Sequence, residues 1–316
     1  MNKVLLNIII LGLFSASLHA QDAHLSMYDG TPNALNPAMT GIGVDQYRWG
    51  TQFRSQWGSV ARNPFLTTAV SFDMPIDDRW AVGGYVMNTD QAGIYNSLTF
   101  CATGSYRITD PAQAEHNLSV GINAGTIYKR TTRHDMIFER QYIGGGFNPN
   151  IDSGENIEQF NAILPEVGMG AFYSWEPEGE TFHPYVGGSV YHITSPLENF
   201  LPGEDSRLPR RFVVHGGSVI HVDDKFRIDP RFFMQFQSNA REFNFGSRFM
   251  YDVDMKDEIF TIYAGGYYRL NDAVIAMIGA EYDRFLFRMS YDFNTSELRQ
   301  FSDGRGGLEF SLIFMR

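Results

Sequence analysis

Gln46-Tyr47-Arg48-Trp49-Gly50-Thr51-Gln52-Phe53-Arg54-Ser55-Gln56-Trp57 is the stretch whose reading decides the fold. Its odd positions (Tyr47, Trp49, Thr51, Phe53, Ser55, Trp57) are mostly aromatic. Its even positions (Gln46, Arg48, Gly50, Gln52, Arg54, Gln56) are polar or glycine. Successive side chains of a strand point to opposite faces, so this is a strand with one aromatic and one polar face. The same period of two returns in Phe243, Phe245, Ser247, Phe249 and Tyr251, in Phe285, Phe287, Met289, Tyr291 and Phe293, and in Leu308, Phe310, Leu312 and Phe314.

A soluble sandwich also alternates, burying its apolar face between sheets. Three features favour a sheet closed in a membrane. The segments are longer than the usual 5–6 residues of globular strands. Several carry Tyr or Trp near their ends, as interface girdles do. Their polar faces repeat Arg, which a polar lumen can hold and pair. Paired glycines (Gly83-Gly84, Gly187-Gly188, Gly216-Gly217, Gly265-Gly266) weaken ordinary strands but permit curvature and close packing inside a barrel. Composition agrees. Aromatics make up 15 % and charged residues only 19 %, yet the mean hydropathy is −0.24, as expected when alternate residues face lipid.

About fourteen strands are expected, an even number as in bacterial barrels. They are placed near 46–57, 65–74, 79–88, 93–107, 115–129, 164–175, 181–193, 210–222, 225–237, 241–252, 257–269, 272–282, 283–293 and 306–316. The connections at 75–78, 176–180 and 222–225 are short and rich in turn residues, whereas 130–163, 194–209 and 294–305 are long. With both termini periplasmic, the long connections all fall on the extracellular side. Residues 1–20 combine Lys3, an apolar run from Val4 to Phe14 and small residues up to Ala20, the pattern of a cleaved signal peptide. The expected organisation is a signal peptide (1–20), a segment at the periplasmic mouth (21–45) and an all-β, single transmembrane antiparallel barrel (46–316).

Leu35-Asn36-Pro37-Ala38-Met39-Thr40-Gly41 resembles the NPA-x-x-G stretch that opens mature chains of the PorP/SprF family. Arg54-Ser55-Gln56-Trp57 resembles that family's R-x-Q-W strand. Tyr267-Tyr268-Arg269 to Ala273, then Ser290-Tyr291-Asp292-Phe293 with Ser296 and Leu298, resembles its YR…DA…YD region. Gly306-Gly307-Leu308-Glu309-Phe310-Ser311-Leu312 resembles its closing strand. Asn36, Pro37, Gly41, Arg54, Trp57, Tyr291 and Asp292 thus carry the motifs. The resemblance implies an outer-membrane barrel of the type IX secretion system of gliding or protein-exporting bacteria. Its implied partners are a secreted adhesin, or that adhesin's C-terminal region, and other periplasmic or outer-membrane components of the system. It brings no catalytic residues.

The residues themselves narrow the chemistry further. A formal charge of −11 gives no electrostatic footprint for nucleic acid. The single cysteine, Cys101, excludes a disulfide framework. His215 and His221 share a strand face but stand six positions apart, roughly 20 Å at ~3.3 Å per residue, too far for one metal. His183 and His192 fall on opposite faces. No G-x-S-x-G elbow occurs, so neither catalysis nor a cofactor nor a metal is expected. Asn36-Pro37-Ala38 reads either as a contact for periplasmic partners or as a turn that sets the first strand's register. Arg48, Arg54, Arg248, Arg269, Arg284 and Arg288 could line an anion channel. The favoured reading is a filled lumen in which they pair with acidic groups such as Glu242, Glu281 and Glu309. The connection from Arg130 to Asn161 exceeds the length of ordinary loops and holds Arg133, Phe138, Arg140, Tyr142 and Phe147. These five are the candidate partner-binding residues. Docking or retention of a secreted adhesin is the expected function, and a diffusion channel or fatty-acid-type transporter is the alternative.

Overall fold

The computed structural model describes residues 22, 25–58, 63–112, 115–131, 139–143, 146–148, 150–152, 154, 161–198, 206–255, 258–296, 299–302 and 304–316. The expected signal peptide lies outside them.

The barrel strands are β1 (Arg48–Gln56), β2 (Phe65–Pro75), β3 (Trp80–Gln91), β4 (Tyr95–Arg107), β5 (His116–Thr131), β8 (Asn161–Trp175), β9 (Phe182–Tyr191), β10 (Arg211–His221), β11 (Phe226–Gln237), β12 (Ala240–Met255), β13 (Glu258–Arg269), β14 (Ala273–Tyr282), β15 (Phe285–Asn294) and β16 (Arg305–Met315). Two-residue strands β6 (Tyr142–Ile143) and β7 (Gly146–Phe147) pair only with each other. The fourteen long strands close in sequence order, and β1 pairs antiparallel with β16. Several run past their expected ends. β8 starts at Asn161 because β5 supplies partners up to Arg130, opposite it.

The aromatic face points outward. Trp49, Phe245, Phe287 and Phe293 are each about half exposed, whereas Gln52, Arg54 and Arg288 are buried. In water such a surface would be an aggregation hazard. Around a closed sheet it is a lipid-facing band. The polar face points into the lumen, which settles the choice between sandwich and barrel.

The long connections 132–160, 192–210 and 295–304 leave one end of the barrel, here the loop end. The connections 76–79, 176–181 and 222–225 leave the other, the turn end, together with Gln46 and Arg316. Gln46 and Tyr47 both donate their amides to the Arg316 carbonyl there.

The sequence reading set residues 21–45 at the barrel mouth, whereas the structure runs the described part of this segment through the lumen. A short helix α1 (Pro32–Leu35) and a single 3-10 turn (Pro37–Met39) follow each other inside the barrel, both opened by proline. Ser26, Asn33, Asn36 and Ala38 are almost fully buried.

Placing a guanidinium on the lipid face should therefore be costly. Ile122 is 64 % exposed in mid-β5. Ile122→Arg is expected to destabilise the barrel by about 2–4 kcal/mol. Urea titration of vesicle-inserted protein measures this, and an unchanged midpoint would contradict an outward-facing Ile122.

Candidate functional site

One thread occupies the lumen from the loop end to the turn end, with a cavity of about 120 Å³ beside it toward the loop end. Asp22 lies beside His192, just after β9, and Arg211, at the start of β10. Further in, the Thr31 hydroxyl donates to Gln52 Oε1 at 2.9 Å, and Gln52 Nε2 donates to the Met27 carbonyl at 2.8 Å. Asn33 Nδ2 donates to the carbonyls of Phe72 (3.2 Å) and Gly84 (3.1 Å), bridging β2 and β3. Tyr191 and Ser189 donate to the carbonyls of Ala34 and Leu35. Near the turn end, Gly41 N donates to Asp73 Oδ2 at 2.6 Å, and Arg48 pairs with the same carboxylate at 2.7 Å.

Asn36 is fully buried. Its Nδ2 donates to the Ala171 carbonyl at 2.9 Å, and its Oδ1 accepts from Ala38 N at 3.0 Å, capping the 3-10 turn. It sits against the shortest seam, where β8 and β9 share six paired positions (Met169–Ser174 with Tyr185–Val190). The wall gives it room through glycine. A Cβ on Gly170 would meet Asn36 Oδ1, and one on Gly121 would meet the Pro37–Ala38 backbone.

Four charged residues of the motif stretches, Arg54, Arg269, Asp292 and Glu309, converge on Ser26. Arg54 and Glu309 face each other directly in the register that closes the barrel. Arg54 Nη1 lies 3.0 Å from Glu309, and its Nη2 lies 2.8 Å from Asp292. Arg269 Nη2 reaches the same aspartate at 2.5 Å. Ser26 Oγ donates to Asp292 at 2.8 Å and accepts from Arg54 at 2.5 Å. The amides of Ser26 and Met27 donate to the two Glu309 oxygens at 2.8 and 2.9 Å. Two guanidiniums and two carboxylates, contributed by β1, β13, β15 and β16, thus saturate one another around the thread. A second group centres on Asp29, which pairs with Arg231 (2.7 Å), Arg288 (2.9 Å) and Arg248 (3.2 Å).

The arginine expectations resolve unevenly. Arg48, Arg54, Arg248, Arg269 and Arg288 face inward and are paired, but their carboxylates are chiefly aspartates: Asp73, Asp292, Asp29 and Asp229. Of the three glutamates named from sequence, Glu309 holds Arg54, and Glu281 accepts from the Tyr263 hydroxyl. Arg284 is corrected: it lies in the β14–β15 turn beside Asp283, half exposed, because β15 starts at Phe285. The histidines separate. His215 contacts Asn36 Nδ2 at 3.2 Å, whereas the His221 ring lies 4.8 Å from that of His183.

Of the family-motif residues, Asn36, Pro37 and Gly41 belong to the thread, and Arg54 and Asp292 to the ion group. Trp57 follows β1 with its ring against Phe65 at 4.8 Å, and Tyr291 packs edge-on against Phe293 on the outer face. Of the candidate partner-binding residues, Arg133 and Phe138 lie outside the described residues. Arg140 is exposed in a single turn (Glu139–Gln141), and Tyr142 and Phe147 are paired opposite each other in the β6–β7 hairpin. The Asp22–His192–Arg211 and Asp29 groups were missed. Residues 21–45 show no strand period, and only the excess of glycine at inward positions hinted that something lies against the wall.

A model of the family described as "Type IX secretion system membrane protein PorP/SprF" matches residues 17–314. The chain belongs to the PorP/SprF family. Its place is the outer membrane. No curated protein matches it. Several solved structures share the fold of this PorP/SprF chain. The Ralstonia pickettii toluene transporter TbuX is 12 % identical over 89 % of this chain and 92 % of its own, with a TM-score of 0.52. The CymD monoaromatic hydrocarbon channel is 10 % identical, with 94 % and 95 % covered and a TM-score of 0.52. The Pseudomonas putida toluene transporter TodX is 8 % identical, with 94 % and 98 % covered and a TM-score of 0.52.

Two measurements test the ion groups. Arg54→Met takes the guanidinium from Glu309 and leaves Asp292 to Arg269, and removing one partner of a buried pair costs about 3–5 kcal/mol. The double variant with Asp292→Asn should lose less than the sum of the single losses. At the loop end, burial opposes charge on His192, but Asp22 and Glu166 outweigh it and hold its pKa up at about 9. A raised folded value stabilises fully below the unfolded value near 6.5 and is lost as pH rises through about 9. Stability should thus fall by about 3 kcal/mol across that window. His192→Gln should flatten the profile, and an unchanged slope would contradict the assignment.

Proposed function

We propose that this PorP/SprF barrel docks or retains a secreted cell-surface adhesin of the type IX system and supports its export or attachment. The observation that carries the reading is the filled lumen. A barrel threaded from end to end by its own chain, through buried ion pairs, is built as a platform rather than a pore. The three long connections gather at one end, and the connection after β5 exposes Arg140 and Ile143 there. Under this reading the loop end is extracellular and meets the adhesin, and the turn end faces periplasmic components of the system. Arg133, Phe138, Arg140, Tyr142 and Phe147 supply the charge and aromatic area for the contact, the residue types that dominate protein interfaces. Neither reading of this barrel requires catalytic groups.

A diffusion channel or fatty-acid-type transporter is the second reading. The names of the structural neighbours favour it, but at 8–12 % identity they speak for the fold alone. Deleting residues 136–158 separates the two. The deletant should stay heat-modifiable and membrane-inserted while surface display of the adhesin is lost. Normal display by an assembled deletant would overturn the docking role of this connection.

A further inference from the structure

At the loop end a carboxylate of the chain itself occupies a cationic site beside a cavity whose wall is part apolar and part polar. Asp22 Oδ2 lies 2.6 Å from His192 Nε2 and 3.2 Å from Arg211 Nη1. Both partners are positioned without Asp22. His192 Nδ1 is bonded to Glu166, and the Arg211 guanidinium lies 4.3 Å from the centre of the Tyr191 ring. Asp22 is tied less firmly. Its side chain is 24 % exposed against 5 % for His192 and 14 % for Arg211, and its amide donates to Gln237 Oε1 at 2.9 Å.

The charge around the site calls for an anion. Arg211, protonated His192 and Lys129 contribute three positive charges, and Glu166 and Glu198 contribute two negative charges. Lys129 and Glu198 pair at 2.5 Å. Without the Asp22 carboxylate the balance is 3 − 2 = +1, so one carboxylate neutralises it. The adjoining cavity, of about 120 Å³, has all six groups (Asp22, Lys129, Glu166, His192, Glu198 and Arg211) in its wall. Its other lining includes Leu25, Tyr28, Leu35, Ile127, Leu208 and Phe233. A cavity of about 150 Å³ has room for benzene, so by volume this one suits a single ring or a branched aliphatic group against its apolar wall.

We infer that His192, Arg211 and this cavity form a binding site for a carboxylate borne on a compact apolar group, and that such a ligand exchanges with Asp22. Both a free aromatic or branched aliphatic acid and the C-terminal carboxylate of a polypeptide ending in an apolar residue have this chemistry. None of the lining residues is among the five assigned to the adhesin contact, so the inference does not depend on the docking proposal.

Equilibrium dialysis of the full chain in detergent tests the inference with four probes. These are phenylacetate, phenylacetamide, a short peptide ending in free phenylalanine and the same peptide amidated. Asp22→Asn removes the competing carboxylate and should bind an acid probe about tenfold more tightly than the wild-type chain. In both proteins the acid should bind at least about tenfold more tightly than its amide. Arg211→Met should abolish that preference while heat-modifiability is retained. Binding of phenylacetate but not the peptide assigns the site to free acids. Binding of the peptide acid in preference assigns it to a polypeptide terminus. Equal binding of acid and amide by the wild-type chain, or no binding of either acid by folded Asp22→Asn, overturns the proposal.

Discussion

A charge inside a membrane barrel has little water to answer it, so each buried guanidinium or carboxylate must find its partners within the chain. Arg54 is where that constraint is most demanding. It stands opposite Glu309 in the register that closes the barrel, and Asp292 and Arg269 complete the set. The four side chains still leave acceptor positions open on Glu309, and the amides of Ser26 and Met27 fill them. Closing the sheet and threading the lumen are therefore one event energetically. The pairing that joins the first strand to the last is fully satisfied only when the N-terminal thread is in place.

The rest of the interior follows from the same accounting of donors and acceptors. A thread without strand periodicity has no ladder for its backbone groups, so side chains of the wall and of the thread must serve them. Asn33 and Asn36 answer wall carbonyls, and Ser189, Tyr191 and Ser119 answer carbonyls of the thread. Glycines at 121 and 170 let the backbones approach to that distance. The outer face has no such demands, and its aromatic and aliphatic side chains meet lipid. One strand period thus serves two solvents, with a polar interior assembled residue by residue.

The strands were legible in the sequence because a period of two needs no knowledge of what lies opposite. All fourteen were placed, with errors of a few residues where a neighbour extends the ladder, as at Asn161. The motif residues were legible as a family signature. Their meeting was not, because Arg54 and Asp292 are separated by most of the chain and nothing local joins them. The path of residues 22–45 was also hidden. Its polar and small residues suit a mouth segment and a luminal thread equally, and only the inward glycines, answered from across the lumen, separate the two. Arg284 was misplaced because alternation alone does not say where a strand yields to a turn. The docking proposal has no signal in the strand pattern and comes from the family resemblance.

Conductance of the purified barrel in a planar bilayer tests the filled lumen most directly. The account predicts that the wild-type chain holds a silent baseline at low voltage, whereas a chain lacking residues 22–40, once inserted, conducts steadily. Steady ohmic conductance by the wild-type chain, equal to that of the deletant, would show that the thread does not close the lumen and would contradict the account.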